Sequence, residues 1–504
     1  MPLLPVPAKH SWLLILALAG PARAVGQASP YLPTDDPRLP LLEHLIARGE
    51  IRDPSPLERP FRKGDILLAL RASSNPAAQR LAADLAPVTD GRWGLIALKV
   101  GAQGYSQGRR DLLQEGGKGN PGVYSELHAE ISERSLVLVG RAAIDTRLSH
   151  DPDYTVGRVR LPFLRDDSRV LDLYAGLQAR WGEVQVGQMA RNWGPAGVPG
   201  VPMSDAAYPR PDIGLRLGRG AIRFSSVVTR LGSARVFGPD TLTEDIDRYF
   251  VSHRLTVNLG PTLTIAAWEV GVIAGPPDAL DATTRALVPL LVIPALVASK
   301  NHRNEMVGGD ISWRPSPWLR LEAQLAIDDW NFDANNPYPQ RWAGAVTGSG
   351  ALGRSASWQA RYTTASSLAF QTLYPQENIV DEGIGIGRLF PDNEMLDLSA
   401  GIPVSATWLV SPRLAVLRQG EGRLLAPYPA FAEAGGVPSR FIGITATSVW
   451  AGLGVAGWHR ALQVSGEGGL RHTSNAGHVA GRTRISLEGR VTATLGLSLW
   501  KADR

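Results

Sequence analysis

From Val170 to Trp181 the chain alternates: Leu171, Leu173, Ala175, Leu177, Ala179 and Trp181 fall on one face, and Asp172, Tyr174, Gly176, Gln178 and Arg180 on the other. Successive side chains of a strand point to opposite faces, so this run predicts a strand with one apolar and one polar side. Gly182-Glu183 supplies a turn, after which Val184 and Val186 resume the alternation. The form recurs. Leu319, Leu321, Ala323, Leu325 and Ile327 alternate with Arg320, Glu322, Gln324 and Asp328. Leu136, Leu138, Ala142 and Ile144 alternate with Arg141 and Asp145, and Thr483, Ile485 and Leu487 with Arg482, Arg484, Ser486 and Glu488. Val491, Ala493, Leu495, Leu497 and Leu499 form a last apolar stripe.

These runs have the length of roughly nine to eleven residues that a tilted strand needs to cross a bilayer. Their polar faces carry Arg, Asp and Glu, as a wet lumen requires. Trp93, Trp181, Trp313, Trp318, Trp358, Trp458 and Trp500 stand near strand ends, where interfacial girdles form. Residues 91–504 are therefore expected to form an all-β transmembrane barrel, antiparallel and up-and-down, of about 16–18 strands.

The pattern before residue 91 is different. Leu41, Leu42, Leu45 and Ile46 recur at helical spacing, with Gly49 where a helix would stop. Ile66, Leu67 and Leu70 make a second stripe, Leu81 and Leu85 a third, and Pro54, Pro56, Pro60 and Pro76 separate them. Residues 25–90 are expected to be a small helical segment on the periplasmic side. Residues 1–24 read as a signal peptide: Lys9 and His10, an apolar run from Trp12 to Ala19, and the small-x-small site Ala22-Arg23-Ala24. The longest later apolar stretch, Ala286 to Ala298, is broken by Pro289 and Pro294 and is too short to span as a helix.

Composition narrows the chemistry. Over 504 residues there is no cysteine, which removes disulfides, thiolate metal sites and catalytic thiols. The formal charge of +5 is too small for so long a chain to argue for nucleic acid. The nine histidines show no metal-binding spacing, so neither metal nor cofactor is expected.

Two motifs point to enzymes only superficially. Gly104-Tyr105-Ser106-Gln107-Gly108 matches the serine-hydrolase elbow, but Arg109, Arg110 and a glycine-rich stretch follow where a helix is needed. Gly452 to Gly457 matches a dinucleotide fingerprint without a surrounding strand–helix–strand unit. Asp328 and Asp329 are adjacent in a strand and so point to opposite faces. No catalytic residue is assigned.

Two loop segments suit sugar binding. Arg191-Asn192-Trp193-Gly194-Pro195 opens a Gly/Pro-rich stretch running to Pro211, and Asp329, Trp330 and Asn331 precede Asn335, Asn336, Pro337 and Tyr338. An aromatic face stacks on ring C–H groups, planar polar side chains pair with hydroxyls, and Arg pairs with uronic-acid carboxylates. Packing of these aromatics onto the barrel rim is the competing reading.

The segments resemble the capsule assembly protein family Wzi. The resemblance lies in Leu45-Ile46-Ala47-Arg48-Gly49-Glu50-Ile51 with Arg59-Pro60, in Asn192-Trp193-Gly194-Pro195 followed by Ser204 to Pro211, in His253-Arg254-Leu255, and in Asn304 to Trp313 with Gln324 to Asp329. It covers most of residues 30–330; Asp205 and Ala206 stand where the family often has two Asn. The resemblance implies an 18-stranded outer-membrane barrel with a periplasmic helical bundle that holds capsular polysaccharide or exopolysaccharide without cleaving it. The expectation is thus a non-enzymatic outer-membrane protein whose partners are polysaccharide and membrane lipid, with Arg191, Asn192, Trp193, Asp329, Trp330 and Asn331 as binding residues from one rim. A diffusion channel for small solutes is the alternative.

Overall fold

The computed structural model describes residues 28–85, 93–106, 112–113, 121–148, 167–232, 234–237, 243–275, 302–329 and 335–503. The leader expected over residues 1–24 lies outside them, as do Trp330 and Asn331.

The chain forms a closed antiparallel barrel of 18 strands, each hydrogen-bonded to its neighbours in sequence. The first strand, Trp93–Tyr105, pairs with Gly122–Glu133 and also with the last, Thr483–Asp503, which leaves no open edge. Among the described residues a four-residue strand, Ala234–Phe237, pairs with the start of Thr243–Asn258 alone and is an addition to the ring. No described helix is long and apolar enough to cross a membrane; the strands do so.

The alternation sorts apolar side chains outward. Leu173, Leu177 and Trp181 are exposed while Asp172, Tyr174 and Gln178 are buried. Leu321 and Leu325 are exposed while Arg320, Glu322, Gln324 and Asp328 are buried. Only a bilayer makes that arrangement favourable, since it supplies the apolar surroundings the outer face needs.

The tryptophans divide. Trp181, Trp313, Trp318 and Trp500 are exposed, but Trp93 and Trp458 are buried and belong to no girdle. Trp458 has the inward parity of its strand, and its Nε1 donates to Asp84 at 2.8 Å. The Trp93 ring lies 5.7 Å from the Lys63 ammonium. Both rings serve the helical segment instead.

Connections at one end of the barrel have two to four residues, such as Gln178 to Gly182 and His459 to Leu462; those at the other have eight to 27. The helices Leu39–Ala47, Lys63–Arg71 and Pro76–Leu85 sit at the short-turn end. Arg48 donates to the Arg354 carbonyl at 2.7 Å and Arg314 to the Ala47 carbonyl at 3.2 Å, both beside short turns. The helical stripes close on one another: Leu41, Leu42, Leu45, Ile46, Ile66, Leu67, Leu70, Leu81 and Leu85 form one buried cluster. Gly49 ends the first helix with φ 73°, the left-handed turn that favours glycine after a C-cap.

The lumen is not the wet channel its polar faces suggest. The segment 28–85 takes up many of its charges. Lys63 meets Glu130 at 2.6 Å. Arg141 meets Glu126 at 2.9 Å, Asp172 at 2.6 Å and Asp35 at 2.9 Å. Glu58 is fully buried between Arg223 at 2.6 Å, Arg216 at 3.2 Å and Arg254 at 3.3 Å, and accepts from the Thr256 hydroxyl at 3.1 Å. Burial pushes the Glu58 carboxyl up, but the guanidinia of Arg223, Arg216 and Arg254 outweigh it and hold the group at about 2.

Candidate functional site

The segment 189–210 connects two strands of only seven residues each, Gly182–Gln188 and Pro211–Leu217. Those strands stop low in the barrel, so the connection turns into the lumen. There the backbones of Asn192 and Arg59 exchange hydrogen bonds of 2.8 and 2.9 Å, joining the inward loop to the helical segment. The glycines permit the tight fold: a Cβ on Gly200 would lie 2.1 Å from the Trp193 carbonyl oxygen.

The structure therefore places Arg191, Asn192 and Trp193 inside the barrel and not on a rim, and each has a task there. Arg191 pairs with Asp212, one contact being 2.9 Å. It lines a cavity of about 30 Å³, which holds a water or two and no sugar ring. Asn192 donates to the Val198 carbonyl at 2.9 Å and accepts from the Gly200 amide at 2.6 Å. Trp193 is 3% exposed. Its carbonyl accepts from Gln324 at 2.9 Å, and its ring centroid lies 5.9 Å from the guanidinium of Arg254, which is itself completely buried. Asp310 ties Arg254, Gln324 and the Trp268 indole into one network, the last two at 2.9 Å.

Above this network lies an apolar core. Val201, Met203, Phe250, Met306, Phe370 and Ile386 fill it against the small inward residues Ala326, Ala343 and Ala365. The loop 366–392 contributes to it, and Ser204 binds that loop through its amide to the Ile386 carbonyl at 3.1 Å. Helices from one end and two loops from the other thus meet within the barrel.

Asp329 is the last residue of the strand Leu319–Asp329 and stands at the long-loop end. Its neighbour Asp328 points inward and accepts from the Phe370 amide at 2.9 Å. The remainder of that loop carries the aromatic surface. The Tyr338 ring lies 5.1 Å from Tyr428 and 6.2 Å from Phe431. Tyr338 donates its hydroxyl to the Pro429 carbonyl at 3.0 Å, and the Arg341 guanidinium lies 5.8 Å from the Tyr428 ring. Phe431 is 64% exposed and opens the short helix Phe431–Ala434. Asn335, Asn336 and Gln340 flank Tyr338 in the same loop, with Asn336 accepting from the Tyr338 amide at 3.1 Å.

This platform joins loops 330–340 and 420–445, and Gln371 locks it from below through bonds to the Arg423 carbonyl at 2.6 Å and the Ala426 carbonyl at 3.3 Å. Tyr428 and Phe431 are separated from Tyr338 by about ninety positions, and no local pattern marks them. Flat apolar rings with amide side chains nearby in the loop suit stacking on a polyhydroxylated ligand. Among the described residues no group of three or more His, Cys, Asp or Glu is placed to hold a metal ion. Ser106 continues the ladder of the first strand, its amide donating to the Gly489 carbonyl at 2.9 Å and its hydroxyl accepting from the Gly489 amide at 2.7 Å.

No family model matches the chain, and no curated protein matches it in sequence. The fold is similar to Wzi of Escherichia coli, an outer-membrane protein involved in group 1 capsule assembly and a carbohydrate-binding β-barrel: TM-score 0.63 at 12% identity, over 94% of this chain and 100% of that one. Acinetobacter baumannii OccAB2 aligns at TM-score 0.42 and 9% identity over 81% of this chain and 98% of its own. Pseudomonas aeruginosa OccK10 aligns at 0.41 and 10% identity over 81% and 99%.

Proposed function

We propose that this protein is an outer-membrane barrel that binds capsular polysaccharide or exopolysaccharide at its long-loop rim and retains it at the cell surface without cleaving it. The observation that carries the reading is the pairing of a filled lumen with an aromatic platform. Trp193, Arg254 and Phe250 occupy the interior where a channel needs open space, while Tyr338, Tyr428 and Phe431 gather on the rim. Short turns face the periplasm and long loops the exterior in such barrels, so on this reading the platform lies outside and the helices fill the periplasmic end. The likeness in fold to a carbohydrate-binding barrel supports the same reading.

Asp329 ends the strand that leads into the loop carrying Tyr338, Trp330 and Asn331 follow it in sequence, and we propose all three as sugar-binding residues. Arg191, Asn192 and Trp193 act one step back, holding the inward loop in place beneath it. The test is polysaccharide retention in cells lacking the gene. Polymer still made but shed into the medium supports the anchor. Unchanged retention, together with steady conductance of the purified protein in a planar bilayer, would establish a diffusion channel in its place.

A further inference from the structure

We infer that the outer wall of the barrel carries a site for one phosphorylated lipid of the outer leaflet, with its acyl chain in a groove and its head group on Arg418 and Arg440. The inference is independent of polysaccharide binding. A groove of about 560 Å³ runs over the lipid-facing side of the strands His302–Ser316 to Ala356–Ala365. That volume lies within the roughly 300–1,000 Å³ typical of small-ligand pockets. Its floor is made by residues with little or no side chain, Gly309, Ala323 and Gly344. Leu325, Val346 and Tyr362 form its walls.

Register shows where the groove leads. Gly309, Leu325, Gly344, Thr364, Glu394 and Arg418 lie opposite one another across successive strands, one outward-facing rung. The rung is apolar at its start and charged at its end, toward the long loops and so at head-group height. Tyr362 belongs to both parts: it walls the groove, and its hydroxyl donates to Glu394 at 3.1 Å. Glu394 takes Arg418 at 2.7 Å and Arg440 at 3.0 Å, yet the two arginine side chains stay 49% and 38% exposed. One carboxylate faces two cations here. Of the two acids in the loop 420–445, Glu421 accepts from the Ile444 amide at 2.9 Å and Glu433 lies in the short helix Phe431–Ala434.

Both guanidinia stack on one ring, 4.4 and 5.5 Å from the centroid of Phe441. Phe441 holds φ 63°, a strained value for a residue with a large side chain. Buried Asp392 holds it there, accepting from the amides of Phe441, Ile442 and Gly422, the last two at 2.9 Å. A clamp so braced keeps two guanidinia side by side at the mouth of an apolar groove. Paired guanidinia match the oxygens of a phosphate ester, and the groove takes the chain attached to it.

The experiment follows retention of diphosphorylated lipid A by the purified full-length barrel through a detergent wash, read by native mass spectrometry. The wild type is expected to keep one molecule, and Arg418→Ala/Arg440→Ala to keep at least tenfold less. Ala323→Leu, which fills the groove without touching the charges, is expected to lose it as well. Both variants are checked for the heat-modifiable mobility of a closed barrel. Equal retention by either folded variant, or equal retention of lipid A stripped of its phosphates, would overturn the site.

Discussion

Trp193 and Phe431 are both aromatic residues in loops, and their surroundings give them opposite work. Trp193 lies against Arg254 inside the barrel, and its carbonyl closes the Gln324–Asp310 network. Trp193→Ala keeps that carbonyl but removes the indole from beside Arg254 and opens a cavity, at a cost of about 3–5 kcal/mol. The expected signs are a lower melting temperature and protease cleavage within residues 194–210. Phe431 is exposed and, among the described residues, meets the platform only at the edge of the Tyr338 ring. Phe431→Ala is expected to leave melting unchanged while weakening polysaccharide binding about tenfold, or about 1.4 kcal/mol, in calorimetric titration. Loss of binding in Trp193→Ala with no change in melting would reverse these assignments.

At the scale of elements, the helical segment is latched to the barrel by buried charge. Glu58 meets arginines of three strands, and Asp53 accepts from Arg320 at 2.7 Å and from Arg59 at 3.1 Å. Leaving three guanidinia without their carboxylate is costly, so Glu58→Gln should loosen the segment more than the strands around it. The direction with pH follows from the carboxyl itself. Its pKa in the folded protein is about 2 against an ordinary 4.5, so its contribution is complete above about 4.5 and is lost as pH falls toward 2. Hydrogen exchange of residues 39–85 should accelerate over that window in the wild type. In Glu58→Gln it should already be fast at neutral pH. Exchange that stays slow in the variant would show that the apolar contacts of Leu45, Ile66 and Leu81 suffice.

At the scale of the whole molecule the decisive feature is that both ends of the barrel send chain inward. Helices fill the short-turn end, and the loops 189–210 and 366–392 meet above them. The intact protein is expected to be silent in planar bilayers. Removing residues 194–204 should release the contact between Ser204 and Ile386 and give measurable conductance. Steady conductance from the intact protein would show that the described contacts open in the membrane.

What could be read from sequence alone was whatever repeats locally. The alternation of Leu173 with Asp172, or of Leu325 with Gln324, sets two faces wherever the strand ends up, because side-chain direction is a property of the backbone. The helical stripes from Leu41 to Leu85 were legible for the same reason, as was the unusual character of the loop at Asn192-Trp193-Gly194-Pro195. Whether that loop turned inward or outward was not legible. It depends on two short strands, on the room left inside a ring of 18, and on Arg59 waiting at the bottom. The inward turn of Trp93 and Trp458 likewise depends on the helices that receive them. Tyr338 meets Tyr428 and Phe431 only because loops far apart in sequence share a rim, and Glu394 meets Arg418 across a rung that register creates and Arg440 from a loop beyond it. Local sequence determined the elements and their two faces; closure of the barrel decided which distant residues became neighbours, and so where a ligand can bind.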